Sequence, residues 1–141
     1  MVELMILYVL AKRELTMYSI QKRIEENFGA FSQPSFGAIK PALTRLEKNG
    51  FLTSRKMMSD GGKLSVYYTI NSDGLVELKR LILEELSVNP IQFLSNARIK
   101  ISCASFLDKE ECSLLLSHLK NLAMLHKYTA ENIMELLNQY L

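Results

Sequence analysis

The sequence predicts a mainly α fold with a small β-hairpin: three helices, a two-stranded ribbon, then further helices. Three observations carry this reading. Apolar residues recur at helical spacing through residues 3–11, 16–28 and 36–49. The run "KLSVYYTI" alternates with period two and follows "SDGG", a hairpin turn signal. Beyond residue 72 the apolar stripe returns to a helical period.

The first helix, residues 3–11, carries Leu4, Leu7, Val9 and Leu10 among few polar positions, so it is expected to be largely buried, ending at "KRE". Thr16 stands as an N-cap for a second helix over 16–28, with Tyr18, Ile20, Ile24 and Phe28 at helical spacing and Gly29 as a left-handed stop. Ser35 and Gly50 bracket a third helix over 36–49. On its wheel Ile39, Ala42, Leu43 and Leu46 form the core side; Gly37, Pro41, Thr44 and Lys48 lie opposite, flanked by Lys40 and Arg45. Pro41 lacks an N–H and crowds the carbonyl of residue 37, where Gly37 eases the strain. A core helix gains nothing from that arrangement, whereas a helix whose first turn lies close against an anionic surface does.

In the ribbon, Leu64, Val66, Tyr68 and Ile70 share the face expected on the core, and Arg55, Lys56 and Lys63 make the hairpin basic. Leu75, Leu78, Leu81, Ile82 and Leu86 then form the stripe of a fourth helix. Asn89 and Pro90 suit the start of a fifth, over 91–104. Asp108 with Glu111 three residues on is a capping-box start for a last helix over about 109–140. The chain is expected to divide into residues 1–86 and a helical region, 87–141.

With 141 residues, 48% hydrophobic and 23% charged, the composition excludes a disordered chain. Residues 1–80 hold 12 Lys and Arg against 8 Asp and Glu, and residues 81–141 hold 5 against 7, so the front is the basic half. Glu3 stands where a signal sequence needs positive charge, and no run approaches a membrane span, so a cytoplasmic protein is expected. Cys103, Cys112 and the two histidines form no metal or disulfide pattern. With no phosphate-binding glycine loop and no nucleophile–histidine arrangement, an enzyme is not expected, nor is a cofactor.

Three helices followed by a basic hairpin make a winged helix-turn-helix. Residues 1 to about 86 resemble the PadR-like transcriptional regulators, through "MYSIQKRIEENFG", "PSFGAIKPALTRLEKNGFL" and "YYTINSDG" in that order. The best-matched helix carries Gly37, Ile39, Pro41, Leu43, Arg45, Leu46, Glu47 and Gly50. Lys40 stands where the family usually has Tyr, adding charge and removing an aromatic contact, and Met17 stands where it usually has Gly. The resemblance implies a transcriptional regulator, more often a repressor, that binds double-stranded operator DNA, dimerises through its C-terminal helices and answers to a small molecule. It also makes Tyr18 a candidate phosphate contact, although the pattern places Tyr18 and Tyr68 in the core.

With the third helix in a major groove, Lys40 and Arg45 would reach phosphate or guanine, and Ser35, Thr44 and Gln33 would hydrogen-bond to bases or backbone beside Gly37 and Lys48. Lys22 and Arg23 on the second helix and Lys63 at the wing would add sequence-independent attraction. Glu47 is expected to hold a neighbouring Lys or Arg. In the last helix Leu115, Leu122, Thr129 and Leu136 recur every seven residues, as do Leu119, His126, Ile133 and Tyr140, a heptad seam expected to be covered by a second copy of the chain. Folding back on the first helix is the alternative. Phe93, Phe106, Met124 and Tyr128 are either effector-cavity lining or core. The competing functional reading is a winged-helix adaptor that binds protein and not DNA.

Overall fold

The computed structural model describes residues 1–86, 90–125, 135 and 138–139. Helix α1 (Val2–Leu10) is the axis of the fold: every residue from Leu4 to Leu10 is buried. A helix apolar on all sides is stable only when covered on all sides. Its neighbours include α2 (Met17–Phe28), α3 (Phe36–Lys48) and α4 (Ser72–Leu83). Tyr8 meets Phe28 edge-on at 5.3 Å and Phe106 edge-on at 5.5 Å.

The ribbon consists of β2 (Leu52–Met58) and β3 (Leu64–Ile70), paired antiparallel from Leu52 with Ile70 to Met58 with Leu64. At its tip Ser59 N–H donates to the Lys63 carbonyl and Gly62 takes a φ of 77°. A third strand, β1 (Leu15–Thr16), covers the other edge of β3, so the sheet order is β1-β3-β2. Two residues are too few to show a period, and the sequence gives no sign of this strand. Thr16 ends β1 and caps α2, its hydroxyl accepting from Ser19 N–H at 3.2 Å.

Four expectations need correction. Gly29 is right-handed (φ −58°), not a left-handed stop; a side chain there would collide with the Glu25 carbonyl, so space demands the glycine. The ribbon's inner face meets the core only at its base: Leu52 is buried and Tyr68 and Ile70 pack against it, but Val66 and Leu64 are 38% and 59% exposed. Alternation fixes which side chains share a face, and this ribbon outruns the core beneath it. On α4 the buried line runs Gly74, Leu78, Ile82, leaving Leu75 exposed, because Gly74 lies directly against the Phe51 backbone. Asn71 starts that helix, its side-chain oxygen accepting from Gly74 N–H at 2.8 Å.

The fourth correction concerns the rear. Helix α5 (Pro90–Ser102), a short 3-10 turn (Ala104–Phe106) and α6 (Lys109–Leu125) follow. Leu115 and Leu119, expected on a seam awaiting a second copy, are buried in their own chain, and Leu122 packs against the same core. Helix α6 lies against α4, where Lys79 pairs with Glu111 at 3.2 Å. The remaining seam residues, His126, Thr129, Ile133, Leu136 and Tyr140, lie outside the described residues, as do Asn89 and Tyr128. Phe93 is buried, Phe106 packs on Tyr8 and Met124 is 66% exposed. Cys103 is fully buried and its thiol is pushed up to about 12 by that burial.

Candidate nucleic-acid interface

The wheel reading of α3 matches its burial. Ile39, Ala42, Leu43 and Leu46 are buried, and Gly37, Lys40, Pro41, Thr44 and Lys48 are exposed. The helix ends on a tight left-handed turn: Gly50, at φ 80°, donates to the Glu47 carbonyl, and Phe51 N–H reaches back to the Leu46 carbonyl, both at 3.0 Å. Asn71 then donates to the Gly50 carbonyl at 2.7 Å, tying this exit to the start of α4. The inner face and the C-terminus of α3 are thus held by the fold.

Its N-terminus is held less. Ser35 has the extended backbone of an N-cap and its carbonyl accepts from Ala38 and Ile39, yet its side chain makes no capping bond, contrary to expectation. The backbone closes this turn without the hydroxyl, which points free among the described residues. Further along, Thr44 Oγ1 donates to the Lys40 carbonyl at 3.1 Å.

Two charged residues of α3 are occupied. Arg45 Nε donates to Glu3 Oε1 at 3.1 Å and its Nη2 makes a second, ion-paired bond to the same oxygen. Partial burial raises the Glu3 pKa, but the Arg45 bonds and charge outweigh it and hold the carboxyl below its usual value. Arg45 therefore braces α3 on α1 and is not an unencumbered DNA ligand. Glu47, expected to hold a Lys or Arg, instead accepts from Ser54 Oγ at 2.6 Å, because β2 runs beside this end of α3.

Of the other candidates, Lys22 is exposed, whereas Arg23 pairs with Glu26 at 3.5 Å. Gln33 spends its amide on the Gly29 carbonyl at 3.0 Å. Arg55 is held on Glu14, which also accepts from Thr69. Among the described residues Lys22, Lys40, Lys48, Lys56 and Lys63 carry no ion pair, and they outnumber the unpaired carboxylates Glu25, Glu47 and Asp60 on α2, α3 and the ribbon. Tyr68 is half-buried, and burial pushes its hydroxyl up. Tyr18 is 68% exposed and not a core residue; it stacks on Phe36 with centroids 6.5 Å apart and ring planes at 27°. Phe36 escaped the sequence reading; on the wheel it lies at the edge of the apolar face, about 20° from Leu43.

A helix of 13 residues, about 20 Å long, thus turns ammonium groups and a hydroxyl outward beside a basic hairpin, with Phe36 at its first turn stacked on Tyr18 of α2. Among the described residues no cluster of His, Cys, Asp and Glu could hold a metal, and no helix is long and apolar enough to cross a membrane.

No curated protein matches the chain. Among solved structures, Bacillus subtilis PadR in complex with operator DNA is 27% identical, with 89% of this chain and 70% of that one covered and a TM-score of 0.56. A transcriptional regulator from Clostridium thermocellum is 26% identical, covering 56% of this chain and 74% of that one, at a TM-score of 0.50. The Streptococcus mutans protein smu.1604c, 21% identical over 94% of this chain and 98% of its own at a TM-score of 0.51, shares the fold. The profile of the transcriptional regulator PadR-like family matches residues 6–80, more than half the chain, and the protein therefore belongs to that family.

Proposed function

We propose that the chain binds operator DNA as a homodimer and represses transcription in the cytoplasm, with residues 1–86 reading DNA and residues 87–141 joining the two copies. The observation that carries this reading is the outward face of α3, where Lys40, Thr44 and Lys48 are exposed on a helix whose opposite face is anchored in the core. That face enters the major groove, with Ser35 and Gly37 at its leading end and Tyr18 alongside. Lys22 and Lys63 add phosphate contacts from α2 and the wing. The B. subtilis relative solved on operator DNA supports the same use of the fold.

Dimerisation draws support from apolar residues left exposed at the rear: Leu94 and Ile101 on α5, and Leu114, Leu116 and Met124 on α6. Pairing them would set two copies of α3 toward half-sites about 34–36 Å apart. Small-molecule control has a foothold in a cavity of about 170 Å³ lined by Glu3, Leu4, Leu81, Glu84, Asn96 and Lys100. Glu3 connects that cavity to the recognition helix through Arg45.

Binding to the protein's own upstream DNA across salt concentrations tests the reading. Four ammonium groups per protomer correspond to about eight phosphates per dimer, and affinity should fall by roughly 10³ to 10⁵ between 50 and 200 mM salt. Lys40→Ala should cost about 1–3 kcal/mol of binding and flatten the salt slope. Weak, salt-insensitive association indifferent to Lys40→Ala would favour the protein-adaptor reading.

A further inference from the structure

We propose that Phe36 is a specificity residue that reads a thymine methyl group in the major groove, its ring held in place by Tyr18. This rests on the DNA-binding reading above. Phe36 is the first residue of α3, 40% exposed, and neither it nor Tyr18 belongs to the hydrophobic core. Two partly exposed rings on adjacent helices thus stack on each other and leave apolar surface that another apolar group can cover.

The surroundings define that group. Ser35 and Gly37, on either side of Phe36, are small and exposed, so neither screens the ring. Lys40 and Thr44 follow at four-residue steps on the same outward face, drawing the helix onto a polyanion and bringing this stripe to base edges. N-terminal residues of a recognition helix are the ones that touch bases. The thymine C5-methyl is the one apolar group on a base edge in the major groove, and aromatic contact with it separates T·A from C·G without a hydrogen bond. Tyr18, anchored on α2, limits the positions the Phe36 ring can take and is a positioning residue in this role. Lys22, one turn along α2, is exposed and supplies a phosphate contact on that side.

The test uses duplexes enriched from a random pool by the full chain. In the best duplex each thymine is replaced in turn by uracil, which removes only the methyl. At one thymine per half-site, uracil should weaken the wild type about fourfold, the worth of one buried methyl. Phe36→Ala should bind the parent duplex more weakly and show no response to uracil at that position. Tyr18→Phe should keep the methyl preference and Tyr18→Ala should blunt it, with helical content unchanged in both. If Phe36→Ala loses helical content, Phe36→Gln carries the same comparison. Equal responses of wild type and Phe36 variants at every thymine would overturn the proposal, as would indifference of the wild type to every replacement. Failure to enrich any duplex would instead remove the DNA-binding reading, and this inference with it.

Discussion

Helices α3 and α6 have similar sequence patterns but differ in their outer faces and in how they start. Each begins at a capping residue and carries an apolar stripe. On α3 the stripe is the inward face, Ile39, Ala42, Leu43 and Leu46, and the polar face is left for work. On α6 the stripe read as an interface, Leu115 and Leu119, is buried within the chain, while Leu114, Leu116 and Met124 stay exposed. Their starts differ too. At α6, Asp108 Oδ1 accepts from Glu111 N–H at 2.8 Å and Glu111 Oε1 accepts from Asp108 N–H at 2.9 Å, a reciprocal closure. At α3 the Ser35 side chain closes nothing. One helix is sealed into the scaffold; the other is anchored at its back and end and open at its leading turn.

The largest expected effect tests whether the two stripes are equivalent as core. Leu43→Ala and Leu115→Ala should each cost about 2–5 kcal/mol in urea unfolding, since both delete fully packed side chains. If Leu115→Ala altered only the dependence of stability on protein concentration, its burial within the chain would be the wrong account and the seam would belong to the dimer.

A smaller effect separates the two starts. Asp108→Ala should lower the melting temperature by a few degrees, by opening the capping box, whereas Ser35→Ala should leave it unchanged while weakening DNA binding. Equal destabilisation by the two changes would erase the contrast. The Asp108 pKa is lowered chiefly by the bond from the Glu111 backbone, so its contribution is present at neutral pH and lost as pH falls through the lowered value. The gap between wild type and Asp108→Ala should therefore close on acidification.

The smallest effect concerns the brace on α3. Glu3→Gln should cost no more than about 1 kcal/mol, because Arg45, the other half of the pair, is more than half exposed. A lowered carboxylate pKa stabilises the fold above the unfolded value of 4.5 and ceases to as pH falls through the folded one. Wild-type and Glu3→Gln unfolding curves measured from pH 6 to pH 3 should converge at the acid end. A freed Arg45 should also raise DNA affinity slightly at low salt.

Much of the scaffold was legible in the residues. Thr16 and the Asp108–Glu111 pair act through bonds to their own neighbours, and Gly50 through its own backbone angle, so short-range pattern suffices to place these ends. The candidate site was legible in outline only. Lys40, Thr44 and Lys48 face outward as the wheel requires, but Arg45 and Arg55 meet Glu3 and Glu14 from more than forty residues away, which no local period reports. Strand β1 and the Tyr18–Phe36 stack escaped for the same cause: each exists only through a partner distant in sequence.

The sequence by itself determined the order of the main helices and the ribbon, the buried face of α3 and the Gly50 turn that ends it, because those depend on side-chain size, backbone freedom and a 3.6-residue repeat. Tertiary structure alone decided which cations remain unpaired, how far the ribbon runs past the core, and that Leu115 and Leu119 are covered from within. A periodic stripe records that apolar surface must leave water, but the hydrophobic effect has no direction, so only the packed chain settles what covers it.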